Sequence, residues 1–170
     1  TTTVRNACLA MMYSMSRAPA IRRMQRPSVD LNEKVIEFPK ASRRRKQERS
    51  NKKNHIHLVP MSDQLCALLK EQYEISQNET YVFSAPFKND EMLARTTLNR
   101  ALVFIGLPEV TTHDFRATAS TLLNEKGYKP DWINKQLAHV EENKTRATYN
   151  HAKWLDDRRQ LLQDWADIVD

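Results

Sequence analysis

Residues Thr111 to Tyr149 read T-T-H-D-F-R-A-T-A-S-T-L-L-N-E-K-G-Y-K-P-D-W-I-N-K-Q-L-A-H-V-E-E-N-K-T-R-A-T-Y, and the rest of the chain is organised around them. Thr112 stands as an N-cap before a run whose apolar positions Phe115, Ala119, Leu122 and Leu123 recur at helical spacing. Gly127 closes that helix as its C′ residue, and Pro130 sits where a first-turn proline opens the next one. His113 and Arg116, three residues apart, project from one side of the first turn. A helix N-terminus flanked by a histidine and an arginine suits a phosphate. His139 follows the second helix, and Tyr149 comes ten positions later. Taken singly, each has a plainer role: His113 as a cap, His139 as a core histidine, Tyr149 as a packing residue. Together, in this order, they compose an anion site with a nucleophile attached.

The totals narrow the partners. At 170 residues the chain is one domain with room for a sizeable core. A net charge of +6 favours a polyanionic partner, although charge alone also serves solubility. Only two glycines occur, Gly106 and Gly127, which removes phosphate-cradling glycine loops and the nucleotide-dependent enzymes that need them. Cys8 and Cys66 fall at apolar helix positions and read as small core residues in a reducing compartment. No apolar run reaches membrane-spanning length and no signal peptide is visible, so no membrane partner is expected. The chain opens T-T-T-V without a methionine, which suggests a piece of a longer protein.

In chain order, Val4, Ala7, Cys8, Met11, Met12 and Met15 mark one helix face, its methionines filling core. Val35–Phe38 and His55–Val59 read as two short strands ended by Pro39 and Pro60. Between them residues 40–54 form a basic hairpin loop with eight Lys/Arg and one acid, more positive than the whole chain. Its Arg43, Arg44, Arg45, Lys46, Arg49 and Lys53 are candidate DNA contacts, since counterion release makes such a run a natural phosphate binder. The plainer alternative is a solvated loop. His55 and His57 alternate onto one strand face, but without a third ligand no metal site is expected. Ser62 caps a helix with Leu65, Leu68, Leu69 and Tyr73 inward, and Tyr81–Phe83 is a short strand or extended segment. Leu98, Ala101, Leu102 and Ile105 form another helical stripe, closed by Gly106 and Pro108. An amphipathic helix covers 153–170, where Trp154, Leu161 and Ile168, and also Leu155, Leu162 and Val169, recur every seven residues beside Trp165. The fold class is mainly α with a small antiparallel β-sheet.

The set H-D-F-R, L-A-H and the tyrosine of R-A-T-Y-N-H-A resembles the signature of tyrosine recombinases of the phage-lambda-integrase type. Through A-T-A-S-T-L-L-N-E-K-G-Y and W-L-D-D-R-R-Q-L-L-Q-D-W-A-D it is most similar to integrases of satellite phages and genomic islands. The resemblance covers nearly all of residues 1–170 and implies the catalytic-domain fold of that family, without its amino-terminal DNA-binding domains. It aligns Arg17 with the family's first catalytic arginine, in a register that holds through Val29-Asp30-Leu31, while Pro19 and Ala20 stand where the family usually has Gly and Glu. It assigns His113, Arg116 and His139 to the phosphate and Tyr149 to the attack. Its catalytic lysine falls on Lys52, with Lys53 as the alternative.

Arginine forks over the phosphate suit developing charge without a metal, and a covalent intermediate stores the bond energy without a cofactor. The implied activity is site-specific DNA recombination, integrating or excising a mobile element through a 3′-phosphotyrosyl intermediate. Two other activities fit the same residues: a catalytically impaired DNA-binding module, and relaxation of the type IB topoisomerase kind. Implied partners are double-stranded attachment sites, a homo-tetramer formed on DNA from free monomers, and accessory DNA-bending proteins. The implied setting is the bacterial cytoplasm, at the nucleoid. In such proteins the segment after the nucleophile often docks on a neighbouring protomer, so 153–170 has two candidate seats, its own domain or the next.

Overall fold

The computed structural model describes residues 1–39, 56–85, 91–138 and 154–170. Helix α1 (Thr2–Ser14) lies at its centre, with the Thr1 side chain accepting from the Val4 amide as an N-cap. Ala7, Ala10 and Met11 are fully buried. Around α1 pack α2 (Ala18–Arg22), α3 (Asp63–Ile75), α4 (Thr97–Phe104) and the C-terminal helix α7 (Leu155–Val169). Helices α5 (Asp114–Glu125) and α6 (Pro130–Gln136) pack on each other and on α7.

The sheet is antiparallel in the order β1-β2-β3, with β1 Val29–Asp30, β2 Val35–Pro39 and β3 Ile56–Pro60. Val35 faces Pro60 and Pro39 faces Ile56, so each proline stands at a strand end, where a missing N–H costs least. Strand β1 was not legible in advance because only two residues pair. Its connection to β2 is an Asx turn: the Asp30 carboxylate accepts from the Asn32 and Glu33 amides, both at 2.9 Å. Tyr81–Phe83 is not the expected strand: Tyr81 forms an isolated bridge with Gln25, and Val82 and Phe83 lie in a bend.

Ser62 caps α3 as expected, accepting from Leu65 N at 3.2 Å, and Leu65, Leu68 and Leu69 are buried. Gln72 is buried on the same helix, where Asn6 donates to it and it donates to the Val82 carbonyl, tying α1, α3 and the bend at Val82 together. Cys8 and Cys66 are free thiols, and burial pushes both above the usual range.

Two expected stripes end differently. In α4, Leu98 and Leu102 are buried, but Ile105 is 65% exposed. The helix stops at Phe104, and the turn through Gly106 (φ +87°) carries Ile105 away from the core. In α7, Leu161, Leu162, Trp165 and Ala166 form the buried face, while Ile168 is exposed, so the seven-residue repeat does not describe the packing. Helix α7 lies on its own domain. The Trp165 indole donates to the Met12 carbonyl at 2.8 Å, and the Tyr13 hydroxyl donates to Asp170 at 3.2 Å.

Candidate active site

The exit of α1 places Arg17. Met15 takes the left-handed conformation (φ +51°) and the Ser16 amide returns to the Met11 carbonyl, which turns the chain out of the helix. Arg17 is then extended and exposed, and its carbonyl accepts the Ala20 and Ile21 amides that start α2. Pro19 sits in this first turn, where its missing N–H has no helical partner to lose.

The entry of α5 places the other two groups, by a cap different from the expected one. Thr112 is not the N-cap; His113 holds that position, and its side chain makes no capping bond. Instead the Asp114 carboxylate reaches back to the amide and hydroxyl of Thr111, at 2.7 and 2.8 Å, and fixes the turn that carries His113. Those two hydrogen bonds, and next the His113 charge, hold Asp114 below the usual carboxylate range. The Thr112 amide is bound by Asn99 of α4 at 3.1 Å. At the far end Gly127 (φ +83°) closes α5 as expected, with Tyr128 N on Leu123 O and Gly127 N on Asn124 O.

Arg116 is 5% exposed and reaches across the core, where it donates to the Leu137 carbonyl at 2.7 Å and to the Met15 carbonyl. Burial first, and then the charge of Arg17, lower its pKa to about 10. It therefore remains a cation at neutral pH. Arg17, His113 and Arg116 line one pocket of about 160 Å³ together with Ala18, Pro19 and Thr112. Arg17 and Arg116 also line the adjoining cleft of about 800 Å³, along with Arg23, Phe38, His57 and Ala138. Neither Arg17 nor Arg116 has a carboxylate partner among the described residues. Two guanidiniums and an imidazole at a helix entry form a site for an anion.

Of the residues singled out in the sequence, the structure thus brings Arg17, His113 and Arg116 together. Lys52, His139 and Tyr149 lie outside the described residues, as do Arg43, Arg44, Arg45, Lys46, Arg49 and Lys53. Chain order attaches them to described elements: Lys52 precedes β3, His139 directly follows Ala138, and Tyr149 precedes Trp154. Ala138 has φ +50°, a left-handed residue without a glycine's freedom, at the point where the chain leaves α6. Of the two strand histidines, His57 makes a ring contact to the Gln136 carbonyl at 3.2 Å, and His55 lies outside the described residues. No cluster of three His, Cys, Asp or Glu suited to a metal occurs among the described residues.

Two polar residues near the site escaped the sequence reading. Arg158 is fully buried and Gln136 is 1% exposed, and they bond each other. The available signal was a polar residue at a core-facing helical position, Arg158 three and four before Leu161 and Leu162, Gln136 three after Ile133.

Mostly helical packing with one small three-stranded antiparallel sheet is the fold of tyrosine recombinase catalytic domains. The model of the phage integrase family matches residues 1–154, and the chain belongs to that family. It is 40% identical to the prophage integrase IntA of Escherichia coli (strain K12) over 119 residues, 69% of this chain and 29% of IntA. It is 31% identical to the integrase of Shigella phage Sf6 over 166 residues, 96% of this chain and 41% of that protein. The chain therefore spans well under half the length of these relatives. The solved structure of the Tn1549 transposon integrase in complex with a circular intermediate DNA superposes with a TM-score of 0.61 at 13% identity, covering 92% of this chain and 57% of that one.

Proposed function

We propose that this chain is the catalytic domain of a site-specific tyrosine recombinase that integrates or excises a mobile element. The observation that carries this reading is the convergence of Arg17, His113 and Arg116 on one pocket in a phage integrase fold. In the reaction, the two arginines bind the non-bridging oxygens of a DNA phosphate, and their charge matches the negative charge that develops there. His113 and His139 hydrogen-bond the same oxygens. Tyr149 passes its phenolic proton to one of these histidines, which can move protons near neutral pH, and its oxygen attacks phosphorus. The bond to the 5′-oxygen breaks, and Lys52 supplies the proton to that leaving oxygen. The product is a 3′-phosphotyrosyl linkage and a free 5′-hydroxyl, and a 5′-hydroxyl of another strand reverses the step. The partners that go with this reading are duplex attachment sites, three further copies of the protein on DNA and accessory DNA-bending proteins, in the bacterial cytoplasm. The Tn1549 integrase, solved on DNA, supports the choice of partner.

The test is covalent trapping. A pool of nicked duplexes of randomised sequence is incubated with the full-length protein in excess chelator, and adducts that survive detergent are recovered and sequenced. The wild type is expected to yield an adduct on a defined site, and Tyr149→Phe none, with DNA binding retained. An adduct formed by the Phe variant, or a wild type that forms none on any duplex, defeats the reading.

A further inference from the structure

Two buried arginines meet at the end of α6. Arg116 donates to the carbonyls of Met15 and Leu137. One residue earlier on each segment, Gln136 Nε2 donates to the Ser14 carbonyl at 2.8 Å. Gln136 in turn accepts from Arg158 Nε at 3.2 Å, and Arg158 Nη2 donates to the Leu58 carbonyl of β3. The His57 ring meets the Gln136 carbonyl at 3.2 Å. The end of α1, the end of α6 and the middle of β3 are thereby stitched at adjacent residues. Two of these segments lead to the pocket: Met15 precedes Arg17 by two residues, and the Met15 and Leu137 carbonyls both hold Arg116.

Arg158 is the largest fully buried side chain among the described residues. It has no carboxylate partner there, and its Nη1 has no hydrogen-bond partner. A buried guanidinium without a counter-charge is costly, and an apolar side chain of similar volume would remove that cost. What an apolar residue cannot do is span two acceptors on different elements with a rigid fork.

We propose that Arg158, acting through Gln136, is a positioning residue of the recombination reaction, holding the exits of α1 and α6 against β3 so that Arg17 and Arg116 meet one phosphate. This rests on the recombinase reading above. Arg158 touches no substrate atom; it sets the geometry in which the phosphate-binding groups converge. A small displacement of such groups from productive geometry costs catalysis far more than binding.

The experiment uses the full-length protein and a nicked duplex recovered by trapping with the wild type. Arg158→Met, Arg158→Lys and Gln136→Met are compared for thermal midpoint, DNA affinity and single-turnover adduct rate at saturating DNA. The expected result is a folded protein with unchanged affinity whose adduct rate falls by about 100-fold, the loss typical of a small misplacement. Lysine keeps the charge but not the fork, so Arg158→Lys should not restore the rate. The double variant Arg158→Met, Gln136→Met should be no slower than either single one, because both break one network. A wild-type rate in folded Arg158→Met overturns the proposal, as does a loss that only tracks the folded fraction. Where Arg158→Met does not fold, Gln136→Met, which leaves the bond to Leu58, decides by the same criteria. A wild type without an adduct would defeat the recombinase reading instead, so the two failures are distinct.

Discussion

Arg17 shows how much one residue's setting matters. At Ala20, one helical turn away, the family's usual glutamate would supply a carboxylate, and here a half-buried methyl lines the cleft instead. Among the described residues nothing accepts a hydrogen bond from the Arg17 guanidinium, whereas Arg116 is bound at two carbonyls. Among the described residues, one cation of the pocket is thus held by backbone carbonyls and the other is not. The charged residues of the pocket were legible from identity and order, but Gln136 and Arg158 were not, because their role exists only in the third dimension. A similar hidden contact gives a pH prediction. Burial, and next the hydrogen bond to the Asp164 carboxylate, push the Tyr128 phenol up to about 12. A phenol raised above its unfolded value contributes stability that is fully present below the ordinary tyrosine range and is lost as pH rises toward about 12. Burial lowers Arg116 and Arg158 to about 10, so their deprotonation acts in the opposite direction above that pH. An ultraviolet titration of tyrosinate should therefore lose its highest-titrating phenol in Tyr128→Phe, and that phenol should ionise earlier in Asp164→Ala. If Tyr128→Phe instead removes a phenol of ordinary pKa, the bond to Asp164 does not hold in solution.

Helix termini carry the site, and they were read with mixed success. Gly127 was legible because left-handed closure asks for a residue without Cβ, and few other residues offer it. The start of α5 was not, because Asp114 bonds backward to Thr111 and takes over the turn that a Thr112 cap would have formed. Stripe ends were misread for a related reason: periodicity marks a face but not the residue at which the helix stops, so Ile105 and Ile168 were assigned to buried faces they do not reach. Gly127 offers a clean measurement. A Cβ built there meets nothing within 4 Å, so Gly127→Ala should cost only the left-handed backbone strain, about 1 kcal/mol. Thermal or urea unfolding should show that loss, with Gly127→Asn recovering part of it, since asparagine tolerates the conformation better. A Gly127→Ala variant as stable as the wild type would mean that α5 does not end in this closure.

Over the whole molecule, charge and fold are divided between different parts of the chain. Residues 40–54 carry more net positive charge than the chain total of +6, so the rest of the chain is close to neutral. The salt bridges of Arg5 with Glu71 and of Lys34 with Asp63 lie on the surface and contribute little, whereas a large apolar core is buried around α1. That separation was visible in composition alone, whereas the placement of residues 40–54 lies outside the described residues. It implies that affinity and chemistry can be separated by mutation. Neutralising Arg43, Arg44 and Arg45 together should weaken binding to every duplex, whatever its sequence. The log–log dependence of affinity on salt should flatten by about 0.9 for each phosphate that the loop no longer neutralises. The adduct rate at saturating DNA should stay near that of the wild type, because the pocket of Arg17, His113 and Arg116 is untouched. Arg17→Ala should show the converse, a salt slope reduced by at most about one unit and no adduct. Filter-binding titrations over a salt series measure the slope directly. An unchanged slope in the triple variant would mean that the loop is a solvated hairpin and that the phosphates are gripped elsewhere on the cleft.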